Sequence, residues 1–220
     1  MATTILMAAI APGLALLSFF YLKDRFDHEP IRLVLRVFIF GALLVFPIMV
    51  VQYTFKETLS LNVFFQAYFN SSLIEEFFKW FVIYFVAYSN LEFDQYYDGI
   101  VYSVAVSLGF ATMENIFYLY INGVYHALIR AALPVSSHAL FGVIMGYYLS
   151  KSKFEKDPEK RKRWLLYSLL IPIFLHGTYN YILLIGQDWW LWIMIPFMIG
   201  LWVYGLNKVK KAQSKPYMSV

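Results

Sequence analysis

Long apolar runs bounded by clustered charge constrain this chain more than any other feature. Seven can be read: Thr3–Leu22, Leu33–Phe55, Phe64–Ala87, Gly99–Ile121, Leu128–Leu149, Trp164–Ile185 and Trp189–Leu206. At ~1.5 Å per helical residue, runs of about 18–24 residues reach across a ~30 Å hydrocarbon core. Lipid offers the backbone no hydrogen bonds, so runs this long are read as helices that satisfy themselves. The expectation is an all-α, polytopic membrane protein of about seven transmembrane helices. The connecting segments leave little room for a soluble domain, so residues 1–220 are read as one membrane-embedded domain.

Composition agrees. The 220 residues are 60% hydrophobic, 20% aromatic and only 15% charged, against roughly 25% charged in soluble domains. A soluble enzyme, a disordered tail and a nucleic-acid-binding protein are therefore excluded, although the pI is about 9.0. With no cysteine there is no disulfide, no thiolate nucleophile and no Cys-type zinc site. The first run lacks a basic leader region and is read as a retained span.

Lys and Arg set the orientation. Four fall in the first loop (Lys23, Arg25, Arg32, Arg36) and seven in the fifth, between Lys151 and Arg163. The tail adds Lys208, Lys210, Lys211 and Lys215. Seven spans put these segments on one side, with only Lys56 and Arg130 opposite. The N-terminus is expected outside and the C-terminus in the cytoplasm, in a multi-pass protein of the cell membrane.

Against this pattern stand Glu75, Glu76 and Lys79 in the third run, Glu114 and Asn115 in the fourth, His138 in the fifth, and His176 with Asn180 in the sixth. A charged residue at mid-bilayer costs ~2.5–3.5 kcal/mol on insertion scales. A structural ion pair needs one Glu and one Lys; three Glu and two His are more than that. Counted from the outer ends of their spans, Glu75, Glu114, His138 and His176 share a layer roughly 10–17 Å deep at ~1.5 Å per residue. Four helices thus bring polar groups to one level, opening toward the outer side. Lys79 is three and four residues from Glu76 and Glu75 and can reach either. Two close carboxylates suit general acid–base work, and His176 with Asn180 lies on one helix face.

Other features read as scaffold. Gly99, Ser103, Ser107 and Ala111 form a small-residue stripe, as do Gly142 and Gly146, which lets helices approach closely. Pro134 and Pro172 each precede a histidine by one turn and are expected to open the helix there. Asp94 and Asp98, in the short third loop, are read as solvated.

Known membrane chemistries can be tested by their motifs. The zinc helix His-Glu-x-x-His does not occur, nor do the Gly-x-Ser-Gly of rhomboids or the Gly-x-Gly-Asp of presenilin-type proteases. What remains is a carboxylate–histidine site able to activate water. The rivals are a proton-coupled transporter, in which the same groups form a relay, and a non-catalytic membrane scaffold.

Glu75-Glu76-x-x-Lys79, Phe110-x-x-x-Glu114-Asn115, His138 and His176-Gly177-x-Tyr179-Asn180 resemble the PrsW family of intramembrane proteases. The likeness extends to Ala11-Pro12-Gly13 and to Phe20-Tyr21-Leu22-Lys23-Asp24. It implies a protease domain making the extracytoplasmic site-1 cut in a single-pass anti-sigma factor, with a site-2 protease acting next. The wider superfamily includes the CAAX prenyl endopeptidases. By that likeness Glu75 is the candidate base, Glu76 its partner or alternative, and His176 and Asn180 hold the oxyanion. Glu114 and His138 complete the site, with Lys79 and Asn115 in support. Two positions depart from the superfamily pattern: Lys79 replaces an Arg one position later, and Glu114 stands where a His is expected. The superfamily has been described both as metal-dependent and as metal-free. A single Zn²⁺ could be held by Glu76, Glu114, His138 and His176, but the Lys79 charge beside it favours no cofactor.

Overall fold

The structure, a computed structural model, describes residues 2–25 and 27–214; Lys215 of the basic tail lies outside them. Seven helical runs follow one another, and no strand occurs among the described residues. They are α1 (Ala2–Leu22), α2 (Ile31–Thr58), α3 (residues 63–88), α4 (Asp98–Asn122), α5 (Val124–Lys153), α6 (Pro158–Ile185) and α7 (Trp190–Gln213). All except α3 are long and apolar enough to cross a membrane. The chain is a multi-pass membrane protein.

The exception is informative. α3 changes pitch along its length, with π turns over Gln66–Leu73 and Tyr84–Tyr88 on either side of an α segment, Ile74–Ile83. That middle segment holds Glu75, Glu76 and Lys79, all buried. The polar run Asn70-Ser71-Ser72 precedes it, and Ser72 Oγ donates to the carbonyl of Ala67 at 2.8 Å. Single π turns of this kind collect at functional positions. α5 contains another, over Ala131–Val135 around Pro134, so that proline opens its helix as the sequence reading expects. α6 instead continues as α-helix through Pro172.

α4 is the axis of the bundle, buried along most of its length. Its small residues allow this. A Cβ on Gly109 would overlap the Phe38 carbonyl of α2, and one on Gly146 of α5 would overlap the Gly99 carbonyl of α4. Gly142 lies against Ser103 in the same way. Leu108, Leu140, Ile144 and Met145 fill the core around these contacts. On the outside, Ile39, Phe46, Val50, Trp192, Ile199 and Val203 are exposed, as a lipid-facing surface requires.

The basic segments meet at one end of the bundle. Gln213 Nε2 donates to the Lys23 carbonyl at 2.5 Å, and Tyr97 Oη to that of Phe20 at 2.8 Å. Lys153 Nζ donates to the carbonyls of Tyr88 and Asn90.

Here one expectation is corrected. Asp98 is not solvated but fully buried, because its Oδ2 accepts the backbone N–H groups of Asp94 and Gln95 in the turn ahead of α4. Glu29 is buried beside it and accepts a hydrogen bond from Tyr102. Burial, with Asp98 alongside, pushes the Glu29 carboxyl up to about 11.

Candidate active site

α3 supplies the centre of the site. Lys79 and Glu76 are both 0% exposed, and Lys79 Nζ lies 2.8 Å from Glu76 Oε1 and 3.4 Å from Glu75 Oε2. Two carboxylates and one ammonium leave a surplus negative charge in a buried place. Such a surplus persists only where other groups compensate it. The compensating groups come from distant parts of the chain.

α6 brings His176, whose Nδ1 is 2.9 Å from Glu76 Oε1 and whose Nε2 is 4.0 Å from Glu75 Oε2. Glu76 as a carboxylate can only accept, so Nδ1 carries the proton. The ring is stacked on Phe141, centroids 4.9 Å apart, which fixes its plane. α5 brings His138, with Nδ1 3.1 Å from Lys79 Nζ. An ammonium has no lone pair, so Nδ1 accepts and the proton of the neutral ring sits on Nε2. That Nε2 faces Glu114 Oε2 of α4 at 3.4 Å. Phe110, one turn before Glu114, places its ring 4.3 Å from Lys79 Nζ.

The other expected residues stand further out. Asn180 donates from Nδ2 to Ser72 Oγ at 3.3 Å, holding α6 to the π turn of α3. Asn115 is fully buried and donates to the Ala9 carbonyl of α1 at 3.0 Å. The Glu114 side chain, 41% exposed, is the open edge of the cluster.

Two contacts were missed by the sequence reading. Gln52 of α2 donates from Nε2 to Glu75 Oε1 at 3.2 Å; a lone amide in an apolar run was the available signal. Arg130, read only as an outer-side charge near the start of the fifth run, is buried within α5, 3.4 Å from Glu114 Oε2 and 2.7 Å from Asn115 Oδ1.

The donor set suits a metal ion. Glu75, Glu76, His138 and His176 each offer one ligand atom, all within 4.8 Å of one another. Two carboxylates and two imidazoles match the preferences of Zn²⁺, and Glu76 Oε2 is buried with no hydrogen-bond partner. Glu75 belongs to this group, while Glu114 touches it through His138, as an outer partner of a ligating imidazole does.

Comparison with known proteins bears on what such a cluster does. The family described as "PrsW family intramembrane metalloprotease" matches residues 29–204. Protease PrsW of Bacillus subtilis (strain 168) is 52% identical over 98% of this chain and 99% of its own length. The Geobacillus kaustophilus (strain HTA426) protein of that name is 53% identical, covering 96% of this chain and 92% of its own. A more distant one, from Clostridioides difficile (strain 630), is 33% identical over 93% and 90%. No solved structure matches this chain.

Proposed function

The chain belongs to the PrsW family of intramembrane metalloproteases, and on that premise we propose that the Glu75, Glu76, His138 and His176 cluster is its peptidase centre. One observation carries this reading: a buried carboxylate pair shared by one lysine, with a histidine of a second helix on the carboxylates and one of a third helix on that lysine. A family of proteases leaves the transporter and scaffold readings without support.

The two carboxylates take different roles. Glu76 Oε1 already accepts from Lys79 and His176, so Glu76 anchors the cluster and stabilises positive charge on His176. Glu75 is held by the longer Gln52 and Lys79 contacts and is the group that takes a proton from the attacking water. His176 Nε2 faces Glu75 and, once protonated, donates to the oxygen of the scissile carbonyl. Asn180, turned from Ser72, adds a second donor; such donors are worth ~2.7–4 kcal/mol each in the transition state. Glu114 holds His138. Lys79 keeps the paired carboxylates together. A divalent cation, if held by Glu75, Glu76, His138 and His176, would supply Lewis acidity and a more acidic water in place of the His176 donor and the free Glu75 base.

The substrate in this reading is a single-pass anti-sigma factor, cut on its extracytoplasmic side before a site-2 protease acts. The N-terminus is outside and the C-terminus cytoplasmic, and one membrane-embedded protease domain performs the cut. The test uses purified protein in detergent with a single-pass substrate, beside Glu75→Gln and Glu76→Gln, with and without chelator, and with bound metal measured. Cleavage by wild type alone supports the centre, and chelator sensitivity reversed by Zn²⁺ assigns the metal. Cleavage by both single variants refutes it.

A further inference from the structure

We propose that Arg130 is a positioning residue for His138, acting through Glu114; this rests on the cluster being the peptidase centre. Arg130 lies on α5 just before the π turn that leads to His138. Its guanidinium is fixed on three sides. Nε donates to Asn115 Oδ1 at 2.7 Å, Cζ lies 4.1 Å from the centre of the Tyr118 ring, and a terminal nitrogen is 3.4 Å from Glu114 Oε2. Asn115 is itself tied to the Ala9 carbonyl of α1.

The oxygen that Arg130 approaches is the one that faces His138. Glu114 Oε2 stands 3.4 Å from both the Arg130 nitrogen and His138 Nε2. A guanidinium needed only to fasten α5 to α4 would be satisfied by Asn115 and Tyr118. Its reach to this oxygen does more. It holds a carboxylate, on a side chain that is otherwise 41% exposed, against one nitrogen of the imidazole. The proton of His138 is thereby kept on Nε2, and the Nδ1 lone pair points to Lys79 and the carboxylate pair. Arg suits this task because it stays charged while Nε is held by Asn115, and its Nη2 faces Glu114 Oε2 as an ion pair, both atoms being buried with no hydrogen-bond partner.

The experiment compares wild type, Arg130→Gln and Arg130→Lys as full-length protein in detergent. The chain has four histidines, so imidazole ¹⁵N shifts are tractable, with His138→Gln assigning the signal. Wild type is expected to show the Nε2–H form at His138. Arg130→Gln leaves Lys79 alone to bias the ring, so it is expected to raise the share of the Nδ1–H form and to lower kcat by roughly tenfold, within the 10–100-fold range for outer partners of a ligating residue, at little changed KM. Arg130→Lys should recover part of both. A folded Arg130→Gln with wild-type shifts at His138 overturns the proposal, whatever its cleavage rate. If Arg130→Gln does not fold, Tyr118→Leu removes the ring under the guanidinium, and the same shifts decide. Cleavage by both Glu75→Gln and Glu76→Gln would sink the peptidase centre yet leave the imidazole readout standing, so the two failures are distinguishable.

Discussion

His176 Nδ1 lies 2.9 Å from Glu76 Oε1, and the two residues are 100 positions apart in the chain. This contact joins α6 to α3 and gives the buried carboxylate a second cationic or hydrogen-bonding partner besides Lys79. It also orients the imidazole so that its other nitrogen faces Glu75. Charge compensation and catalytic geometry thus share the same groups.

Glu75→Gln and Glu76→Gln should separate those two roles. Both are expected to lower cleavage by at least about 100-fold, the usual scale for loss of a general base or its support. Glu76→Gln should also lower thermal stability more, because Glu76 is the closer partner of a fully buried Lys79. Cleavage rates and melting curves in detergent measure both effects.

Lys79→Met leaves two buried carboxylates without their shared cation. Breaking a buried pair from one side costs about 3–5 kcal/mol. The double variant Glu76→Gln with Lys79→Met is expected to cost less than the sum of the single ones, since the partners act as a unit. Additive losses would show that the pair is not coupled.

Gly146→Ala should destabilise the bundle by about 1–3 kcal/mol, the range for overpacking, because its Cβ would overlap the Gly99 carbonyl. Gly200→Ala is the control. Nothing lies within 4 Å of a Cβ there, and exchanging a mid-helix glycine for alanine gains about 0.5–1 kcal/mol. Equal effects at both positions would contradict the close α4–α5 approach.

Glu29 sets a pH dependence away from the site. Its folded carboxyl lies far above its ordinary value of 4.5, at about 11, so the folded state holds a proton that the unfolded chain releases. The stability it contributes is full below pH 4.5 and declines as pH rises toward 11, since the unfolded state then binds fewer protons. Glu29→Gln mimics the protonated form and should flatten the fall in melting temperature between about pH 5 and 9. An unchanged slope would place the titrating group elsewhere.

Much of this protein was determined by sequence alone. Apolar runs of membrane-spanning length leave only helices, and the energetic cost of charge in lipid singled out Glu75, Glu76, Lys79, Glu114, His138 and His176. The glycine and serine spacing announced the close packing of α4 on α5 that Gly142 and Gly146 display. Tertiary structure decided the rest. Whether a polar residue is in the site depends on which way its helix is turned and what lies opposite, and neither is local. Sequence read Arg130 only as an outer-side charge and Asp98 as solvated, but packing buried both. It gave Gln52 no role until α2 met α3. Only the fold could assign Glu114 to His138 and leave Asn180 on Ser72, because hydrogen-bond partners 3 Å apart are chosen by helix rotation, which residue spacing along separate helices does not specify.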